Sequence, residues 1–198
     1  NTYLMCASQI DTGCGAGFAE LDIKIGSVDD YLNWDENKKI KYLINEMKKN
    51  RKGFKNFNFK NKENNEVWST FKILADEPSE CLGAYVISMT STASDVLEVY
   101  LMQMQANIKS KLRVVPLFET LQDLKNAKSI MEKLFSLSWY RKLIENKQEI
   151  MIGYSDSSKD AGKLSTPSSL NIPAVVVLPM PIDPVSPMTI ITLPEYLE

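Results

Sequence analysis

Two acidic residues follow apolar runs that are typical of buried strands. Glu119 comes directly after Val114–Phe118, and Asp156 comes directly after Met151–Ser155. In a parallel α/β barrel, the active-site face is formed by the carboxyl ends of the strands and the loops that follow them. Both carboxylates would then converge and bind a divalent cation such as Mg²⁺, which takes one or two carboxylates and leaves other positions to water and substrate oxygens. Spacing alone leaves a second interpretation open, since such acids are more often helix N-caps or solvated charges.

The segment around Asp156 has a composition that suits an anion. Gly153–Gly162 combines small residues, two acids and Lys159 within one turn-rich stretch. Small residues let backbone amides approach an anion, and a lysine supplies a point charge for a phosphate or carboxylate. An ordinary loop rich in turn formers explains the same composition equally well.

Histidine is absent from the chain. This excludes histidine-based triads, histidine metal ligands and imidazole acid–base chemistry from the 198 residues given. Any catalysis must use carboxylates, lysines, a metal or groups supplied from elsewhere. The chain begins at Asn1 without an initiator methionine, so we expect it to be a fragment.

Overall composition argues against several classes of partner and compartment. The chain is 44% hydrophobic and 24% charged with a net charge of -2, which gives no reason to expect a nucleic-acid or anionic-membrane partner. No apolar run approaches the roughly 18 residues of a membrane span, and no signal peptide is recognisable. The three cysteines, Cys6, Cys14 and Cys81, have no zinc-site spacing. We therefore expect reduced thiols in the cytoplasm.

The elements that must position these residues alternate between strand and helix patterns. Compact apolar runs predict strands over Phe18–Ile25, Gly83–Met89, Leu112–Leu117 and Glu149–Gly153. Helical spacing predicts helices over Asp30–Lys49, Ser94–Asn107, a segment opened by a Thr120–Asp123 capping box, and Trp139–Asn146. This order implies an α/β fold with a parallel sheet or barrel. Four strands cannot close an eight-stranded barrel, so we expect part of a larger barrel or a small open sheet.

Two stretches break the alternation. Residues 48–66 are rich in Lys, Asn and Phe without periodicity, which predicts a surface loop. Residues 164–198 carry seven of the nine prolines, which forbid a helix and predict an extended, poorly packed tail. An edge strand over Ala174–Leu178 is the alternative for part of this tail.

Several long motifs resemble those of phosphoenolpyruvate carboxylases. The stretch IMIGYSDSSKDAG (150–162) is similar to the lysine-containing active-site signature of that family. LGAYVISMTSTASDVLEV (82–99), LRVVPLFETLQDLKNA (112–127) and SLSWYRKLIENKQEIMIGYSD (136–156) resemble further family stretches in the same order. The separation of Glu119 from Asp156 is also that of the family. The resemblance is strong over 82–162 and weaker over 17–49.

The resemblance implies a fold, a reaction and a cofactor. The fold would be a partial (β/α)8 barrel of TIM type, with parallel strands and surrounding helices, and incomplete in this chain. The reaction would convert phosphoenolpyruvate and bicarbonate into oxaloacetate and phosphate, through carboxyphosphate and a metal-stabilised enolate. The cofactor would be Mg²⁺ or Mn²⁺, with no biotin. The full-length enzyme is expected to be a cytoplasmic homotetramer without nucleic-acid or membrane partners.

The resemblance also implies roles for individual residues. Glu119 and Asp156 would be the metal ligands, and Lys159 would be the active-site lysine of the signature. Leu117 and Met151 match positions that line the apolar pocket around the methylene group of the substrate. An apolar wall there would keep water from protonating the enolate before carbon dioxide arrives.

The chain departs from the family in four places. Lys24 stands where the family has an arginine that helps to bind phosphate, and a lysine loses the bidentate geometry. About twenty family residues are missing between Ser27 and Val28. The family's catalytic histidine belongs to an earlier part of the full-length enzyme. The glycine- and arginine-rich loop that follows the signature is replaced, after Lys163, by the proline-rich tail.

These observations and the resemblance predict residues 1–163 to be a partial carboxylase barrel, with 48–66 as a loop insertion, and 164–198 to be a proline-rich, disordered tail unrelated to the family. The chain would take part in phosphoenolpyruvate carboxylation as a piece of a complete enzyme, and would be inactive alone. The first alternative is a truncated, catalytically inactive fragment or an interaction module. The second is an unrelated Mg²⁺-dependent barrel enzyme that acts on enolates.

Overall fold

A computed structural model of the chain describes residues 4–9, 31–49, 62–118, 120–152 and 174–179. Strands and helices alternate over much of this part of the chain. In chain order they are β1 (Leu4–Gln9), α1 (Glu36–Lys49), α2 (Lys62–Asp76), β2 (Leu82–Ser88), α3 (Ala93–Gln105), β3 (Arg113–Phe118), α4 (Leu121–Ser136), α5 (Ser138–Leu143), β4 (Lys147–Ile152) and β5 (Ala174–Pro179), with a short 3₁₀ turn at Ser79–Cys81 before β2. None of the helices in these ranges is long and apolar enough to cross a membrane.

The sheet is of the α/β type, as the alternating pattern predicts. Its strand order follows the chain, β1-β2-β3-β4-β5. Three parallel strands alternate with helices, and the sheet formed by the described residues is not closed. The parallel ladder between β3 and β4 pairs Leu117 with Met151 and Phe118 with Ile152, starting just after Pro116, which has no amide hydrogen to donate.

Most of the predicted elements are present with small shifts at their ends. The predicted strands at 83–89, 112–117 and 149–153 correspond to β2, β3 and β4, and the predicted helix at 94–107 corresponds to α3. The predicted helix over 30–49 is interrupted: residues 31–32 are helical, 33–35 are not, and α1 begins at Glu36. The carboxylate of Asp35 accepts a hydrogen bond from the backbone amide of Lys38 at 3.1 Å, as an N-cap does. The predicted strand at 18–25 lies outside the described residues, and β1 was not predicted. The expectation of a poorly packed tail is wrong for residues 174–179, where β5 corresponds to the alternative of an edge strand over 174–178.

The prediction of a loop over 48–66 is wrong for residues 62–66, which are helical. Residues 62–66 begin helix α2, which continues to Asp76 and was not predicted. Its apolar residues Trp68, Phe71 and Leu74 are spaced three apart and are almost completely buried, so the helix is held by one apolar face. Phe71 stacks on Tyr85 of β2, with ring centroids 5.2 Å apart. Polar Lys and Asn residues precede this face, so its helical spacing was not recognised in the sequence.

The chain divides into two compact units. The first comprises Asn1–Ile87 and Thr92–Val114, and the second comprises Ser88–Ser91 and Val115–Glu198. In the first unit α1 packs against α3. Helix α1 contributes the buried residues Ile40, Leu43 and Met47, whereas α3 is buried along nearly its whole length. Helix α3 is therefore the centre of the first unit.

Polar side chains join α3 to its neighbours in the first unit. The carboxylate of Glu36 accepts two hydrogen bonds, from the backbone amide and the hydroxyl of Ser94, both at 2.8 Å. Ser94 lies in the first turn of α3, where amides lack partners within the helix and a negative charge is stabilised by the helix dipole. The side chain of Asp95 also accepts a hydrogen bond from the backbone amide of Thr92, at 2.8 Å. The start of α3 is thereby fixed from two elements.

The far end of α3 sets the start of β3. The side-chain amide of Gln103 is fully buried and bonds both backbone groups of Leu112, accepting from its N–H at 2.7 Å and donating to its carbonyl at 3.2 Å. The backbone amide of Val114 donates to the hydroxyl of Tyr100 at 3.3 Å. Because these groups are shielded from water, a broken bond would leave a buried polar group unpaired. The chain therefore enters β3 in one defined position.

A buried tyrosine–glutamate pair lies between the chain before α1 and the middle of α3. The hydroxyl of Tyr31 donates to Glu98 Oε1 at 2.7 Å, and both side chains are inaccessible to solvent or nearly so. Burial, reinforced by the nearby Asp95 carboxylate, raises the pKa of Glu98 to about 8, whereas the Tyr31 hydrogen bond and Lys39 act to lower it. Burial also raises the pKa of the Tyr31 hydroxyl well above its ordinary value. Glu98 is therefore a protonated acid in the fold at neutral pH.

We predict that the stability of the chain falls as the pH rises between about 4.5 and about 8. The unfolded Glu98 carboxyl releases its proton near its ordinary pKa of 4.5, but the folded one retains it up to about pH 8. Within this window folding takes up a proton, so the free energy of unfolding decreases by up to about 1.4 kcal/mol per pH unit. Urea unfolding at a series of pH values measures this slope.

Glu98→Gln should remove most of that slope, because the amide does not titrate. Glu80→Gln, at an exposed position of the same unit, is the matched control and should keep it. Tyr31→Phe removes a hydrogen bond that lowers the Glu98 pKa, so it should extend the slope to higher pH. An unchanged slope in the Glu98→Gln variant would contradict the assignment.

Candidate active site

The parallel pairing of β3 with β4 places the carboxyl ends of both strands at the same edge of the sheet. Their last residues, Phe118 and Ile152, are register partners. Glu119 is the next residue in the sequence after β3, and Asp156 is the fourth residue after β4. In α/β folds this edge is where ligands bind.

Two of the six predicted site residues fall within the described ranges, and they are neighbours. Leu117 and Met151 are directly paired across the parallel ladder, which puts their side chains on the same face of the sheet. Met151 is buried and Leu117 is half-buried. The structure therefore places two apolar residues side by side near the carboxyl edge of the sheet. The other four, Lys24, Glu119, Asp156 and Lys159, lie outside the described residues, so their roles stay predictions.

The helix that follows Glu119 has a well-defined start. Thr120 is the N-cap of α4: its hydroxyl accepts a hydrogen bond from the Asp123 amide at 3.1 Å, and the Asp123 carboxylate accepts one from the Thr120 amide at 3.0 Å. This confirms the capping box predicted from the sequence. Since Thr120 holds the N-cap position, the interpretation of the preceding acid as a cap loses its support.

Strand β4 is held in place from the neighbouring helix of the second unit. The hydroxyl of Tyr140 in α5 donates to Gln148 Oε1 at 2.6 Å, and both side chains are buried. The side-chain nitrogen Nε2 of Gln148 donates to the backbone carbonyl of Glu149 at 2.7 Å. These bonds fix the strand that carries Met151 and leads towards Asp156.

Met89 is a feature of this region that sequence reasoning missed. It directly follows β2, belongs to the same compact unit as Leu117 and Met151, and has about half of its surface exposed. Its φ of 56° lies in the left-handed region, which is unfavourable for a residue with a side chain. The pattern had placed it at the end of a strand, and no residue type nearby signals the turn.

Comparison with known proteins identifies the family. A model of the phosphoenolpyruvate carboxylase family matches residues 16–170. The chain belongs to the phosphoenolpyruvate carboxylase family. It is 49% identical over 143 residues to a phosphoenolpyruvate carboxylase of Flaveria pringlei, covering 72% of this chain and 14% of that protein. It is also 49% identical over 138 residues to the Aliivibrio salmonicida enzyme, covering 70% of this chain and 16% of that protein.

The chain covers only a small part of the length of these relatives. The relatives share about half of its residues over the matched region, yet this chain spans only about one seventh of their length. All six predicted site residues lie within the family match, whereas β5 lies beyond it. The described residues therefore comprise a part that matches a small portion of a phosphoenolpyruvate carboxylase and two strands, β1 and β5, that lie outside the match.

The donor set predicted for a metal suits the ion that this family uses. Two carboxylates, Glu119 and Asp156, are hard oxygen ligands of the kind that Mg²⁺ and Mn²⁺ prefer. Among the residues that the structure describes, no group of three or more His, Cys, Asp or Glu side chains could hold a metal ion.

We predict that Thr120→Ala lowers the free energy of unfolding by about 1 kcal/mol, since it removes the N-cap of the helix that follows Glu119. Thr120→Ser retains a capping hydroxyl and should stay close to the parent chain. Urea unfolding at one pH compares the three proteins. Equal loss in the alanine and serine variants would show that the cap does not stabilise this segment.

Proposed function

We propose that this chain contributes the metal-binding part of the active site for carboxylation of phosphoenolpyruvate by bicarbonate, within a complete enzyme. The observation that carries the proposal is the parallel register of β3 and β4, which pairs Leu117 with Met151 just before the two candidate ligands in the sequence. Family membership supports the reaction class. Because the chain spans about one seventh of its relatives, the remaining groups must come from the rest of an enzyme.

The proposed fold of that complete enzyme is a (β/α)8 barrel. The alternation of parallel strands with helices supports it, and the three parallel strands would supply a part of the barrel wall. We place the complete enzyme in the cytoplasm as a homotetramer, in line with the family resemblance. Its substrates would be phosphoenolpyruvate and bicarbonate, without biotin, nucleic acid or membrane.

Glu119 and Asp156 would hold Mg²⁺ or Mn²⁺. Bound there, the ion would act as a Lewis acid towards the enolate oxygen. The carboxylates would also fix the position of the substrate relative to the sheet edge. Neither role needs a histidine from this chain.

Lysines would handle the phosphoryl group. A bicarbonate oxygen attacks phosphorus, the bond from phosphorus to the enol oxygen breaks, and carboxyphosphate and the enolate of pyruvate form. Lys159 and Lys24 would neutralise charge on the phosphoryl oxygens. Lys24 donates as a point charge and lacks the two-pronged geometry of arginine, so phosphate would be held less rigidly on that side.

The apolar pair would protect the enolate. Carboxyphosphate releases carbon dioxide and phosphate, and the enolate carbon then attacks carbon dioxide to give oxaloacetate. Protonation of that carbon by water would give pyruvate instead. Leu117 and Met151 would exclude water from the methylene side of the substrate.

A second candidate function is that of a non-catalytic module. One observation favours it: β4 is paired on its second side with the antiparallel strand β5, which lies beyond the family match. In this case the chain would fold without taking part in carboxylation. We expect the chain alone to form no oxaloacetate under either hypothesis, so the test requires a complete enzyme.

We predict that a chimera is active and depends on Asp156. In the chimera, the matched 143-residue segment of the Flaveria pringlei enzyme is replaced by that of this chain. It should form oxaloacetate from phosphoenolpyruvate and bicarbonate with Mg²⁺. Asp156→Asn should lower kcat/KM by about a hundredfold or more, because a lost Lewis acid removes several kcal/mol of stabilisation. Coupled reduction of oxaloacetate measures the rate.

Asp76→Asn, at an exposed position at the end of α2, is the matched control and should leave kcat/KM unchanged. A folded chimera without activity would contradict the proposed function. An active chimera that is insensitive to Asp156→Asn would contradict only the ligand assignment.

We also predict that polar substitutions in the apolar pair change the product. In the chimera, Leu117→Asn and Met151→Gln should each raise severalfold the fraction of phosphoenolpyruvate that ends as pyruvate, because water gains access to the enolate. Leu117→Met and Met151→Leu keep an apolar side chain of similar volume and should preserve the ratio. Parallel assays of pyruvate and oxaloacetate give this fraction. An unaltered ratio in the polar variants would refute a water-excluding role.

A further inference from the structure

Strand β4 has a partner strand on each of its two sides. On one side it forms the parallel ladder with β3. On the other side β5 runs antiparallel along its whole length, from the pair Lys147–Pro179 to the pair Ile152–Ala174. Strand β5 therefore pairs with every residue of β4, whereas β3 pairs with its last two residues, Met151 and Ile152.

The direction of β5 differs from what a continuing parallel sheet requires. A parallel strand beside β4 would run in the same direction as β3 and β4 and would need a crossover connection. Strand β5 runs the opposite way and starts at Ala174, beyond the family match that ends at residue 170. It occupies the side of β4 on which the next parallel strand of a barrel would have to pair.

The sequence of β5 suits a strand that closes a sheet edge. Its core is three consecutive valines, 175–177, whose branched side chains favour extended backbone. Pro173 precedes it and Pro179 ends it. Prolines lack the donor needed for a ladder, and they are among the devices by which proteins prevent further pairing at an edge.

We propose that β5 is an edge cover for β4. Its pairing keeps the row of β4 amides and carbonyls from binding a strand of a second copy of this chain, and any parallel strand that extended the sheet past β4 would first have to displace it. An uncovered β4 would present an unpaired edge of the kind that templates association between chains. The inference concerns the sheet edge and holds whether or not the carboxylation proposal is correct.

A proline scan of the full chain tests this through the alternation of the backbone. In an antiparallel strand, the amides of successive residues point to opposite sides. Three single variants are compared: Val175→Pro, Val176→Pro and Val177→Pro. If the amide of Val176 points to β4, only Val176→Pro should remove a hydrogen bond to β4; if it points away, Val175→Pro and Val177→Pro should each do so. The variants whose amides point away from β4 serve as matched controls. The disruptive variants should lower the protection of β4 amides against hydrogen exchange by about tenfold. The same variants should self-associate in sedimentation experiments as concentration rises.

Loss of protection together with association, in this period-two pattern, would support the edge cover. Three variants that behave alike, or loss of protection without association, would overturn it. Protection of α3 amides shows that the first unit remains folded, and protection of α4 amides shows the same for the second unit.

A crosslink covers the case in which a proline variant does not fold. Ile150 and Val176 are register partners, so the double variant Ile150→Cys/Val176→Cys should form a disulfide under mild oxidation and remain monomeric. Ile150→Cys/Leu178→Cys, displaced by two residues, is the control and should crosslink much more slowly. Equal rates in the two variants would show that β5 does not pair with β4 in this register.

Discussion

The parallel pairing of β3 with β4 is the constraint on which the candidate site depends. Its register places Leu117 beside Met151 and ends both strands together. Parallel hydrogen bonding allows the two segments that carry the candidate carboxylates to leave the sheet at one edge, although the carboxylates are 37 positions apart in the sequence. A slip of one residue would move every side chain of a strand to the opposite face. A correct register of β3 and β4 is therefore a precondition for the candidate site.

That register is supported by buried polar contacts as well as by apolar packing. Gln103 fixes the backbone at Leu112, just before β3, and Tyr140 binds Gln148 within β4. A hydrogen bond of this kind contributes modestly when formed, but a buried group left unpaired is costly. Such contacts therefore act mainly by excluding alternative positions of the chain. The Tyr31–Glu98 bond does the same for the helices of the first unit, with a protonated acid in place of an amide.

The sequence predicts those parts of the fold whose local pattern and tertiary role agree. The strands β2, β3 and β4, helix α3 and the Thr120 capping box follow from apolar runs and turn chemistry. Helix α2 was missed because its apolar stripe is short and follows a polar stretch without periodicity. The Glu98 environment could not be predicted, since it depends on the distant residue Tyr31. At the site, the structure pairs Leu117 with Met151, two residues singled out from the sequence, whereas the left-handed backbone at Met89 has no local sequence signal.

The backbone groups of β4 on the side away from β3 can pair either with the antiparallel strand β5 or with a further parallel strand of a barrel, but not with both. The next parallel strand of a barrel would pair with β4 on the side away from β3. Without that strand the same side is an unpaired edge, and an unpaired edge can pair with another strand. In this chain that strand comes from a valine run beyond the family match, and it pairs in the opposite direction. Six residue pairs hold it there, so extension of the parallel sheet would have to replace an existing ladder instead of filling a vacant one. In a complete barrel β5 would therefore have to leave β4, so the edge cover belongs to the chain by itself and the proposed catalytic role to an enzyme in which β4 has exchanged that partner.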